Sequence, residues 1–460
     1  MSELDLLGEE QLRDWFVQQR WFGAKARDVA QINLLETFTL REQTPKLVLA
    51  LVEARFPSGT HEVYQLPVGV RQESEGWSER VIASAGGHTF YDALADPEHG
   101  RELLELMRSG RDVQAGDEGL LEFRWVAAEG VDGRGAEVRP VGVEQSNSSI
   151  VYDETLILKA FRRLEPGINP ELELLRFLSE RGFEHIAPLA GWFEYEGRLM
   201  DATLGILQEY LAGATGGWEL ALGALGSDPE AFLGHLRALG EVTGELHTAL
   251  ASDNSDPAFA PEEPSVEALS LLTATIDEEI ERIFVELPEL DALDPIRGRG
   301  QDVQERLHSL ANLRAAGRVI RCHGDYHLGQ TMLAERGWVV LDFEGEPARP
   351  LPQRRQKRSP LRDVAGMLRS FSYAAAGSEI LNGTAAPEGW EDRARETFLE
   401  GYFATVEMGL LPPGQDPTRR LLSVFELEKA IYELRYELNN RPDWVAIPVA
   451  GIARLLDSDS

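Results

Sequence analysis

Only one cysteine, Cys322, occurs in 460 residues. That excludes an intrachain disulfide framework and any zinc site built from several thiolates. Basic residues are scarce: 45 Lys and Arg face 78 Asp and Glu, a net charge of −33. General nucleic-acid binding relies on cations that neutralise phosphates, so this balance argues against it. A nucleotide ligand stays open, because a few local cations and backbone N–H groups can hold phosphates on an acidic protein. No apolar run approaches the roughly 20 residues that span a bilayer. The start, MSELDLLGEEQLRDWF, lacks a basic stretch followed by an apolar one, so it does not read as a secretory signal. A soluble cytoplasmic protein is the expectation. No G-x-x-x-x-G-K phosphate loop occurs either, and DGRGAE (132–137) is a poor glycine-rich match best taken as a surface turn.

What is present is ordinary globular material, 43 % hydrophobic and 27 % charged. At roughly 150 residues per domain the length suggests two to three domains. Residues 9–20 carry a helical period through Leu12, Trp15 and Phe16. INLLETFTL, KLVLALVEARF and HEVYQLPVGV read as strands, the last two joined by the hairpin signal PSGT. HTFYDALADPEHGRELLELMRSG reads as a turn and a helix. These elements form an α+β module over residues 1–125, with Trp21 assigned to it. Residues 126–211 are β-rich: RPVGVE is a strand, QSNSS a polar turn, and IVYDETLILKAF a hairpin. NPELELLRFLSERGF opens as a helix, with Asn169 as N-cap and Pro170 at the first position. GRLMDATLGILQEYL reads as two more strands. Residues 212–460 are mainly helical, and VIRC and WVVLDF are the strand-like runs within them.

Those two runs lie in RCHGDYHLGQTMLAERGWVVLDFEGEPARPL, residues 321–351. Phosphoryl transfer asks for a positioned nucleophile, metal ions on the phosphates and neutralised charge. HGDYHLGQ offers Asp325 and Gln330, and VVLDFE offers Asp342 at a strand end. Asp325 could accept a proton from a substrate hydroxyl. Gln330 and Asp342 supply the hard oxygens that magnesium prefers. A cation for the nucleotide is available in Lys159 of LILKAF, with Glu171 and Glu173 on the next helix. Each residue alone also serves as a plain turn or surface acid; the combination is what points to chemistry.

The pair HGDYHLGQ and LDFEGEP resembles the aminoglycoside-phosphotransferase-like kinase superfamily. With RWFGAK, EQSNSS, SPLRDVAGMLRSFSYAA and NNRPDW, the chain from about Arg20 to Ile452 resembles the bacterial maltokinase family. The resemblance implies an α+β, two-lobed protein-kinase-like fold with an N-terminal α+β cap. Residues 1–125 would be the cap, 126–211 the N-lobe, and 212–460 the C-lobe with the catalytic and sugar sites. It implies ATP- and magnesium-dependent phosphorylation of maltose at its anomeric hydroxyl, giving maltose 1-phosphate for α-glucan and glycogen synthesis. Association with an enzyme that interconverts trehalose and maltose is also implied. Asp325 matches the catalytic base. Gln330 stands where a metal-binding Asn is usual, Asp342 matches the main magnesium ligand, and Glu344 is a helper. Lys159 and Glu173 match the strand-Lys and helix-Glu pair, Ser146, Asn147, Ser148 and Ser149 the phosphate loop, and Gln208, Glu209 and Tyr210 the adenine hinge.

EKAIYELRYELNNRPDW carries a polar and aromatic stripe at helical spacing, Lys429, Tyr432 or Glu433, Tyr436 and Asn440. Stacking aromatics with charged groups bind sugars, so Lys429, Tyr432, Glu433 and Tyr436, with His327, are candidates to contact the acceptor. The same spacing also serves a solvated helix face. Arg362, Asp363, His247 and His323 are assigned structural roles, and Ser359 the N-cap of the helix that follows it. A glucosamine 6-kinase on the same scaffold is the alternative, favoured by an acidic acceptor pocket. A silent binding module is a distant third, disfavoured by the joint presence of Asp325, Asp342 and Lys159.

Overall fold

The structure, a computed structural model, describes residues 3–24, 27–115, 119–127, 136–141, 147–285, 287–308, 316–347 and 349–457. The chain divides into two compact units, residues 1–179 with 187–212, and residues 180–186 with 213–460.

The first unit opens with helix α1 (Glu9–Val17), then strands β1 (Gln31–Arg41), β2 (Lys46–Arg55), β3 (His61–Gln72), β4 (Val81–Ala85) and β5 (His88–Asp92) and helix α2 (Pro97–Ser109). The five strands form an antiparallel sheet in the order β1-β2-β3-β5-β4. β2 is apolar without interruption because both its faces are covered. Leu47, Leu49 and Leu51 point into a core shared with α2, while Val48, Ala50 and Val52 point into a second core with Leu12, Phe16, Trp21 and Phe22. HTFYD, expected as part of a turn, is β5, paired with β3 and β4. α2 starts where the sequence marks it: the Asp96 side chain accepts from Glu98 N–H, Pro97 follows, and Gly110 ends the helix in the left-handed region.

A second sheet runs through β6 (Val113–Ala115), β7 (Gly119–Trp125), β8 (Val138–Val141), β9 (Asn147–Tyr152), β10 (Leu156–Phe161), β12 (Leu189–Glu196) and β13 (Asp201–Glu209), in the order β6-β7-β12-β13-β10-β9-β8. The β9–β10 hairpin turns at Asp153 and Glu154, both with positive φ as a two-residue primed turn requires. GRLMDATLGILQEYL contributes one strand rather than two; its partner is LAGWFEYE, with the turn between Glu196 and Asp201. Two-residue β11 (Arg163–Leu164) continues the line of β10 and pairs with β3 in the first sheet. The two sheets thus share one strand path and one core, the Leu47 side of β2 packing in the same cluster as Leu158, Phe193 and Leu204. Helix α3 (Pro170–Glu180) follows, with the Asn169 side chain accepting from Glu171 N–H at 2.8 Å.

Arg162 sits where the path passes from one sheet to the other, fully buried. Its guanidinium lies over the Trp21 ring, donates to Asp92 Oδ2 at 2.5 Å, and donates from Nε to Ser148 Oγ at 2.8 Å. Gln65 of β3 reaches the carbonyls of Phe161 and Leu204.

The second unit is helical apart from a small sheet of β14 (Thr215–Gly216), β15 (Thr331–Ala334) and β16 (Gly337–Val340). Its main helices are α4 (Gly217–Leu225), α5 (Pro229–Leu250), α6 (Val266–Val285), α7 (Gly300–His308), α8 (Leu351–Arg354), α9 (Leu361–Asn382), α10 (Trp390–Thr405), α11 (Gln415–Asn440) and α12 (Ala446–Asp457). α5 and α10 approach until a Cβ on Gly240 would lie 2.0 Å from Phe398 O. VIRC does not pair with WVVLDF. The hairpin is TMLA with GWVV, turning at Glu335–Arg336, while Val319 and Ile320 bridge singly to Glu262 and Arg358. Ser359 does not cap α9 with its side chain; Pro360 holds the cap position and Ser359 contributes its carbonyl to Arg362 N–H.

Breaking a buried ion pair by removing one partner costs about 3–5 kcal/mol, whereas replacing both groups by apolar ones is far milder. Asp92→Ala should therefore lower the unfolding free energy by about that amount. Adding Arg162→Met should recover more than half of the loss. Urea unfolding followed by tryptophan fluorescence measures both. Equal stability of the single and double variants would mean that this pair does not hold the strand crossing.

Candidate active site

In the second unit the segment from Arg321 to Leu351 is held from several sides. Asp363, in the first turn of α9 and 2 % exposed, accepts the backbone N–H of His323 at 2.8 Å and of Gly324 at 3.0 Å. Its carboxylate also meets His247 Nε2 at 3.2 Å, and His247 Nδ1 meets the Tyr402 hydroxyl at 3.1 Å. Burial works to raise the Asp363 pKa, but the His247 hydrogen bond and nearby charges outweigh it and leave it lowered. Opposite, α9 presents Gly366, where a Cβ would lie 2.6 Å from Tyr326 O. Tyr326 is buried with its hydroxyl 2.9 Å from Thr243 Oγ1. Leu328 N–H donates to Ser370 Oγ at 3.0 Å.

These contacts fix Asp325. Its backbone N–H donates to His323 Nδ1 at 3.3 Å, and the other ring nitrogen, carrying the proton, donates to Leu341 O at 2.8 Å. His323 thus ties the turn of Asp325 to the strand end of Asp342. Lys429 Nζ stands 3.3 Å from Asp325 Oδ1, and His327 Nε2 3.9 Å from Oδ2. Burial holds the His327 imidazole below its usual pKa, against the pull of Asp325. For Lys429, burial pulls the ammonium down, but Asp325 and Glu433 outweigh it and leave it raised. A cavity opens here, lined by Asp325 and Tyr326, by Glu346 of the following loop, and by Phe425, Lys429 and Tyr432 of α11.

Gln330 and Asp342 come together: Gln330 Nε2 donates to Asp342 Oδ2 at 3.1 Å, and Leu341 N–H donates to Gln330 O at 2.9 Å. Asp342 has φ +60°, a conformation that non-glycine residues adopt at a cost of order 1–3 kcal/mol and that clusters at functional sites. Glu344 follows two residues later, with Arg354 donating to its carbonyl at 3.2 Å. The Asp342 and Glu344 carboxylates lie close enough together to offer hard oxygens of the kind magnesium takes, while Gln330 turns its amide nitrogen toward Asp342.

In the first unit Lys159 Nζ donates to Glu171 Oε2 at 2.8 Å. Glu171 is 2 % exposed in the first turn of α3, and Glu173, the residue that the resemblance pairs with Lys159, is less deeply buried on the same helix. The QSNSS turn also differs from expectation. Asn147, Ser148 and Ser149 are buried in strand β9, with Ser149 opposite Lys159 and Asn147 opposite Phe161; Ser146 lies outside the described residues. Gln208 and Glu209 end β13, where Gln208 Nε2 donates to Ala187 O at 3.3 Å and Glu209 N–H to Pro188 O at 3.0 Å. Tyr210 N–H donates to Thr155 O at 2.8 Å.

The stripe on α11 divides. Lys429 and Tyr432 face the cavity. Glu433 does not: its Oε2 receives Arg369 Nε at 2.9 Å and Nη2 at 2.8 Å, a buried fork on α9. Tyr436 is 46 % exposed, with Arg441 over its ring, and does not line the cavity. Sequence reasoning undervalued Asp363. The signal available was an acid at the third position of α9, among the buried apolar residues Leu361, Val364 and Ala365.

Residues 135–403 match the family model described as phosphotransferase enzyme family, and residues 15–96 match the maltokinase N-terminal cap domain. The chain is 28 % identical over 337 residues to a glucosamine kinase of Mycolicibacterium smegmatis, covering 69 % of this chain and 79 % of that protein. A glucosamine kinase of Streptacidiphilus jiangxiensis is 28 % identical over the same length, covering 73 % of its own chain. A solved glucosamine kinase in complex with glucosamine, ADP and inorganic phosphate has the same fold, with a TM-score of 0.71 at 20 % identity over 97 % of this chain and 99 % of that one. With more than half its length matched by the family model, the chain belongs to the phosphotransferase enzyme family and is an enzyme that transfers a phosphoryl group to an alcohol.

Proposed function

We propose that the protein is an ATP-dependent sugar kinase that phosphorylates maltose at its anomeric hydroxyl, feeding α-glucan synthesis. The observation that carries this reading is Asp325, fixed by backbone contacts on a rigid turn, lining a cavity with Lys429 and Tyr432 and with His327 3.9 Å from its carboxylate. A neutral disaccharide fits that setting: Tyr432 offers a face for stacking, and Lys429 and His327 offer donors for hydroxyl groups. The acceptor hydroxyl hydrogen-bonds to Asp325, which takes its proton as the oxygen attacks the terminal phosphorus. The bond that breaks is the one from that phosphorus to the oxygen retained by ADP. Lys159, oriented by Glu171, neutralises nucleotide phosphate charge. Asp342, Gln330 and, next to them, Glu344 would hold magnesium, which supplies charge neutralisation on the phosphates. We assign the sugar to Lys429, Tyr432 and His327, with the adenine at Gln208, Glu209 and Tyr210.

A second reading, glucosamine phosphorylated at O6, is favoured by the named activity of the relatives. The charge pattern at Asp325 opposes it. An amino-sugar brings an ammonium group, and Lys429 beside Asp325 would repel it. The acids around the cavity have partners of their own: Glu428 with Arg362, Glu346 with Arg349, and Glu279 with Arg435. The maltokinase cap match at residues 15–96 points the same way.

Asp325→Asn should lower kcat at least about 10³-fold, combining loss of a general base with loss of orientation, while ATP affinity by calorimetry changes less than threefold. Near-normal turnover would remove Asp325 from the chemistry. Asp363→Asn keeps the size but presents an amide nitrogen to two N–H donors. It should cost about 10²-fold in kcat, as small displacements of a positioned group do, with KM for the sugar changing far less. Steady-state kinetics with a coupled ADP assay read both. The ratio of kcat/KM for maltose over glucosamine should exceed about 10², the scale that a repelled or unpaired charge provides; a ratio below one would select the amino-sugar.

A further inference from the structure

One short stretch runs against the charge of the whole chain. Residues 349–362 contain six cations, Arg349, Arg354, Arg355, Lys357, Arg358 and Arg362, and no acid, in a protein of net charge −33. Three of them, Arg349, Arg358 and Arg362, line the cavity that holds Asp325. Lys357 is spent elsewhere, on Pro257 O at 2.7 Å and on Glu262.

The cavity's charges can be matched one by one. Arg349 pairs with Glu346. Arg362 donates from Nη1 to Glu428 Oε1 at 2.9 Å, with its Nη2 at ion-pair distance from Oε2, and lies over the Phe425 ring. Lys429 pairs with Asp325. Glu279 goes to Arg435 on α11, and Asp363 is consumed by two N–H groups and His247. Arg358 is left over. Its backbone bridges Ile320, and among the described residues its guanidinium has no carboxylate at ion-pair distance; Nη2 reaches only Gln353 O, at 3.4 Å. Burial, then the like charges of Arg349 and Arg362, depress its pKa to about 10, against the pull of Glu428. A guanidinium does not give up its proton in proteins, so this group carries an uncompensated charge. A half-buried cation flanked by two others, in a concave site, is a receptor for a compact anion with several acceptor oxygens.

We propose that the cavity has two ends, the Asp325 end for the acceptor hydroxyl and the Arg358 end for a phosphate, either inorganic phosphate or the phosphate of a sugar phosphate. A phosphate there occupies the acceptor's cavity, so it excludes the acceptor. A phosphorylated sugar that accumulates would thereby slow its own formation. This rests on the cavity as the acceptor site, and not on which sugar is the acceptor.

Calorimetry of the full chain with inorganic phosphate and, separately, glucose 1-phosphate, with neither ATP nor magnesium present, tests it. Each probe should bind, and Arg358→Gln should weaken binding at least tenfold. Arg358→Lys, which keeps the charge, should lose less than Arg358→Gln. Lys159→Met should leave binding unchanged, which separates this site from the nucleotide phosphates. A tighter glucose 1-phosphate assigns the site to an esterified phosphate, and equal affinities assign it to the free ion. Thermal unfolding checks that each variant is folded. Absence of binding to the wild-type chain, or equal binding to a folded Arg358→Gln variant, would overturn the proposal. A chain that binds phosphate through Arg358 but phosphorylates no sugar would keep it and sink the kinase reading instead.

Discussion

One buried carboxylate organises the second unit. Asp363 accepts two consecutive backbone N–H groups, those of His323 and Gly324, and a third donor in His247. A charged acceptor in a dry site makes strong hydrogen bonds, and leaving such a group unmatched is costly. The Asp325 turn is therefore fixed by its main chain, which a side-chain rotation cannot undo. Support for Asp363 runs outward through His247 to Tyr402, and so to the close packing of α5 on α10 at Gly240. A helix contact far from Asp325 in sequence thus bears on the position of that carboxylate.

The first unit rests on a comparable device. Arg162, buried at the point where one strand path leaves the second sheet for the first, joins Asp92, the Trp21 ring and Ser148. Lys159 lies three residues before it on β10, opposite Ser149. The N-terminal module and the strand carrying Lys159 consequently share a core and a buried ion pair. Its substitution pattern should follow stability more than surface chemistry.

Much of this was legible in the sequence where local chemistry decides the outcome. Asn169 and Pro170 mark the start of α3, PEHGRELLELMRS reads as the helix that is α2, and INLLETFTL, KLVLALVEARF and HEVYQLPVGV read as the strands β1, β2 and β3. What escaped was set by tertiary pairing. HTFYD became an edge-adjacent strand because β3 and β4 flank it. VIRC carried an apolar pattern, yet the partner it needed was taken by TMLA, twelve residues closer to WVVL across a tight turn. Asp325, Gln330, Asp342 and Lys159 could be picked out because phosphoryl transfer calls for those residue types in combination. The loss of Glu433 and Tyr436 from the cavity depended on helix rotation. Residues one or two apart on a helix face different ways, and sequence spacing alone does not say which one turns inward.

On the proposed reading Asp325 takes the proton of the anomeric hydroxyl of maltose as that oxygen attacks ATP. The most direct measurement is phosphorus and proton NMR of the product formed from ATP, magnesium and an equimolar mixture of maltose and glucosamine. Phosphorus coupled to the anomeric proton of maltose, with glucosamine untouched, is the predicted result. Phosphorus coupled to the C6 protons of glucosamine would contradict it.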